Sequence, residues 1–112
     1  MLYKFKSKST GDLIMLQPDG RRVLQIIGKD ASPGGVGESG IILPEQMPDA
    51  IAALEAAIAQ DEADKAAATA AALAAHKPRP HFEEISLRLR ATPFIDVLRE
   101  CARHGNFVVW GV

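Results

Sequence analysis

The sequence predicts an α+β fold: one small domain with short strands near both termini, packed with about three helical regions. Three observations predict it. Residues 2–6 alternate apolar and cationic side chains, the period of a half-buried strand. Residues 107–110 (FVVW) are a run of strand formers. Between them apolar residues recur at helical spacing, and Ala50 to Ala75 holds 15 alanines in 26 positions.

Taken in order, Tyr3 and Phe5 share one face of the first strand and Lys4 and Lys6 the other, before a turn over 7–11. Leu13 to Leu16 is too short for pattern alone to separate strand from buried helix, and an extended piece is the preferred reading. Pro18 and Asp19 open a helix whose Val23, Leu24 and Ile27 share a face. Gly20 weakens its first turn by about 1 kcal/mol relative to Ala, and Gly28 is placed to stop it in the left-handed conformation. Residues 29–40 (KDASPGGVGESG in the main) read as a Gly-rich loop. Ile41 to Leu43 re-enter the core. Pro44 and Pro48 bracket a turn before the long helix, where Ile51, Leu54 and Ile58 form an inward stripe.

That helix is expected to reach about His76, with Lys77 to Pro80 ending it. Beyond Ile58 no large apolar residue appears until Leu73. Residues 60–80 are therefore expected as an Ala-rich arm and Pro-containing linker: a solvated arm, a second helix folded back near Asp61 to Asp64, or an oligomer contact. Leu87, Ala91, Phe94, Ile95, Leu98 and Ala102 give a last helix, capped by Ser86 and kinked at Pro93. A strand over Ile85 to Leu89, with the helix beginning at Thr92, is the rival reading. His104 and Gly105 close the helix. The expected core is Phe5, Leu24, Ile27, Ile51, Leu54, Ile58, Phe94, Leu98 and Val108, with the terminal strands adjacent in one sheet.

Four stretches carry a resemblance: MLYKFKSKSTGDLIML, RRVLQIIGK, GIILPEQMPDAIAALEAAI and ISLRLRATPFIDVLRECARHGNFVVWGV. Together they resemble a family of short bacterial proteins known only as a domain of unknown function, number eighteen-forty. The resemblance implies an intact small protein. It implies no activity, cofactor or site residue.

Composition narrows the function classes. The chain has 112 residues, 47% hydrophobic and 24% charged, with net charge -1, which excludes a disordered chain. A lone cysteine, Cys101, excludes a disulfide scaffold. The start has no uninterrupted apolar segment of a secretory signal, and no stretch approaches the roughly 20 apolar residues of a membrane span. The expected location is the cytoplasm, with no membrane partner.

No chemistry-bearing constellation survives inspection. Cys101 with Arg103 and His104 suggests a thiol–imidazole pair, but Cys101 falls on the core stripe at a helix C-terminus, where a thiolate is disfavoured. His76, His81 and His104 lack the spacing of a metal site. Gly34 to Gly40 lacks the Lys-Ser/Thr of a phosphate loop. Asp61, Glu62 and Asp64 lie on a helix read as solvated, where no desolvation raises a carboxyl pKa. No catalytic, cofactor-binding or metal-ligating residue is therefore assigned, and no cofactor.

Charge is segregated instead. Residues 1–29 carry net +4, residues 30–75 net -7 and residues 76–112 net +2. Lys4, Lys6, Lys8, Arg21 and Arg22 are candidates for nucleic acid, which the near-neutral balance (pI about 6.3) disfavours. The alternative is that basic and acidic segments meet within the fold or across a twofold homodimer. The expected function is thus a non-enzymatic interaction or accessory protein, paired as a homodimer or with an unknown protein partner. A small-molecule-binding module, or an enzyme with a site assembled from distant residues, is the alternative.

Overall fold

The computed structural model describes residues 2–29, 40–82 and 86–111. The expected Gly-rich loop lies outside the described residues, apart from its ends Lys29 and Gly40.

Four strands form one antiparallel sheet: β1 (Leu2–Ser7), β2 (Leu13–Leu16), β3 (Gly40–Ile42) and β4 (Val108–Trp110), in the order β2–β1–β4–β3. The terminal strands are neighbours, as expected, with Lys6 opposite Val109. The piece 13–16 is a strand, as preferred, and residues 40–42 form an edge strand rather than a simple return of the chain to the core. Gly40 lies opposite Trp110, whose indole covers it.

Three helices are described. Helix α1 (Gln17–Ile26) has Pro18 and Asp19 in its first turn. Helix α2 (Met47–Ala74) follows a 3-10 turn at Pro44–Gln46 and has Pro48 in its first turn. Helix α3 (Leu87–His104) is capped by Ser86, whose hydroxyl accepts from the Leu89 amide at 3.2 Å. The helical reading of 86–92 therefore holds over the strand. The Ser cap and the uninterrupted apolar stripe outweigh Pro93, which removes only one amide donor from the ladder.

All three helices end alike. Gly28, His76 and Gly105 sit at positive φ just past α1, α2 and α3. In each case the following amide bonds a carbonyl five residues back: Lys29 to Leu24, Lys77 to Ala72 and Asn106 to Cys101, at 2.8–2.9 Å. These 6→1 bonds satisfy carbonyls that the helix leaves open.

The core lies between the inner sheet face and the helices. Phe5 is its hub, with ring centroids 4.7 Å from Phe94 and 5.8 Å from Trp110. Phe5, Leu24, Leu54, Ile58, Phe94, Leu98 and Val108 are buried as expected. Ile27 and Ile51 are only partly buried against the rim. Ile27 is the α1 cap residue, at the helix end. The α2 stripe runs through Met47, Ala50, Leu54 and Ile58, which leaves Ile51 at its margin.

Past Ile58, α2 buries no further residue. It continues as one helix to Ala74, so it is an arm and not a second helix folded back. Its 28 residues span roughly 42 Å at 1.5 Å per residue. Half-burial there is confined to Asp61, Lys65, Thr69 and Ala72, one stripe of the helix, with the Lys65 ammonium 5.7 Å from the Phe82 ring centroid.

Candidate interaction surface

Strand alternation divides the sheet into two faces. Tyr3, Phe5, Met15, Ile42, Val108 and Trp110 point into the core and are buried. Leu2, Lys4 and Lys6 of β1, Ile14 and Leu16 of β2, Ile41 of β3 and Val109 of β4 fall on the other face. The register joins them: Leu2 opposite Leu16, Lys4 opposite Ile14, and Val109 between Lys6 and Ile41. Among the described residues this face stays open. Leu2 is 62% exposed, Leu16 61% and Ile14 53%.

The open face explains an oddity of the strand sequences. A sheet covered on one side needs apolar residues only at alternate positions, whereas LIML in β2, GII in β3 and VVW in β4 are apolar at nearly every position. Such runs belong to strands with both faces out of water. Only β1 alternates, and its outward residues include Lys4 and Lys6. Lys4 and Lys6 thus stand beside aliphatic groups, Ile14 and Val109. Ile14, Leu16, Ile41 and Leu2 were missed as surface residues, and the doubly apolar strands were the signal for them.

Acidic groups of the middle segment are held elsewhere, by cations of the same chain. Arg99 donates to Glu55 at 3.0 Å. Arg88 grips Glu62 through two bonds of 2.7 and 2.8 Å. Asp61 lies 3.7 Å from Arg22 and 3.2 Å from Lys65. Arg90 reaches back to Asp19. The Arg88 hydrogen bonds hold the Glu62 carboxyl below its ordinary value, and the same bonds raise the Arg88 guanidinium. Asp64 accepts from Gln60 at 2.7 Å. Three carboxylates of the middle segment, Glu55, Asp61 and Glu62, thus meet cations within the fold.

The structure separates the members of the considered thiol–imidazole pair. Cys101 is buried in the core. His104 is exposed, with Nε2 2.9 Å from Glu100 Oε1, and Arg103 lies 3.5 Å from the same carboxylate's other oxygen. His76 ends α2 and His81 lies on the returning chain. Among the described residues no group of three His, Cys, Asp or Glu side chains is arranged to hold a metal ion.

The clefts among the described residues include two beside α2, away from the open sheet face. One, of about 490 Å³, lies between the end of α1 and the start of α2, with Ile27, Ile42 and Ala50 in its wall and Lys29, Glu45 and Asp49 at its rim. Lys29 there donates to Gln46 at 2.9 Å. The other, of about 200 Å³, lies between α2 and α3 beside the paired Arg88 and Arg99. Among the described residues, neither is lined by a buried side-chain polar atom without a hydrogen-bond partner.

The family model for a domain of unknown function, DUF1840, matches residues 1–110. The chain belongs to the DUF1840 family. Neither curated proteins nor solved structures gave a match. The DUF1840 chain also has no helix, among its described residues, long and apolar enough to cross a membrane.

Proposed function

We propose that this DUF1840 chain is a non-enzymatic interaction or accessory protein of the bacterial cytoplasm, and that its working surface is the open face of the sheet. One observation carries the reading. Leu2, Ile14 and Leu16 on one side of Lys4 and Lys6, and Ile41 with the half-buried Val109 on the other, leave aliphatic groups uncovered on this face among the described residues, and exposed apolar surface marks interaction sites. Aliphatic and ammonium groups have no nucleophilic or acid–base role at neutral pH, so binding is the chemistry they support.

Charge gives a homodimer less motive than the segment totals imply, because Glu55, Asp61 and Glu62 are paired within the chain with Arg99, Arg22 and Arg88.

Capture from native extract tests the reading. The chain retains a bound component, and Ile14→Asn with Leu16→Asn releases it, whereas Ala68→Asn on the α2 arm does not. Retention by the sheet-face variant, with its fold intact by circular dichroism, removes the sheet face from the account.

A further inference from the structure

We draw no further inference here: the strongest candidate, the aliphatic surface patch of Leu2, Ile14 and Leu16 on the open side of the sheet, belongs to the site already described, and nothing in the structure shows what covers it.

Discussion

The ring of Tyr3 in β1 lies directly against Gly20 in α1, so that a Cβ on Gly20 would overlap the ring carbons. The glycine that weakens the first turn of the helix is therefore what lets α1 lie flat on the inner face of the sheet.

Gly20→Ala accordingly destabilises the protein. The gain in helix propensity is about 1 kcal/mol, and overpacking against a ring costs about 1–3 kcal/mol. The expected net loss is up to about 2 kcal/mol, read by denaturant unfolding. A stabilised variant would mean that Tyr3 moves aside without cost.

The α2 arm is the least protected part of the helix. Leu54 and Ile58 are buried and nothing beyond them is, while helix stability in proteins comes mainly from packing. Hydrogen exchange should be markedly faster over 66–75 than over 51–58. Equal protection would show that the arm is covered in solution.

Cys101 is fully buried and behaves as a small core hydrophobe. A thiol reagent should modify it only as fast as the protein opens, with the rate rising through the unfolding transition. Rapid labelling of the native chain would restore it as a reactive group.

The Glu62 carboxyl is held below its usual 4.5 by the Arg88 hydrogen bonds. The stability of this pair is present above that ordinary value and is lost as pH falls through the depressed one. Both groups are exposed, so the contribution to folding is small. Carboxyl NMR titration should find Glu62 below 4.5, and Arg88→Gln should return it towards that value. An unchanged titration would mean that the pair does not form in solution.

Much of the fold was legible because its signals are local. Ser86, Gly28 and Gly105 mark helix ends through backbone chemistry that needs no tertiary knowledge. The inward residues of β1 were legible from alternation. The identity of the open face was not. In LIML and VVW both sets of alternate residues are apolar, so the pattern cannot say which set the helices cover. That choice is made by Tyr3 and Phe5, which commit β1 to one side and bring Met15 and Trp110 with them through the register. Gly40 is similar: its need for the Trp110 ring depends on a strand pairing 70 residues away.

Site-specific photo-crosslinking in the native cell tests the central claim most directly. A photoreactive residue at Ile14 on the open sheet face is compared with one at Ala68 on the α2 arm, both exposed. The account predicts adducts from position 14 and none from position 68. Adducts from position 68 alone, or none from position 14, would contradict it.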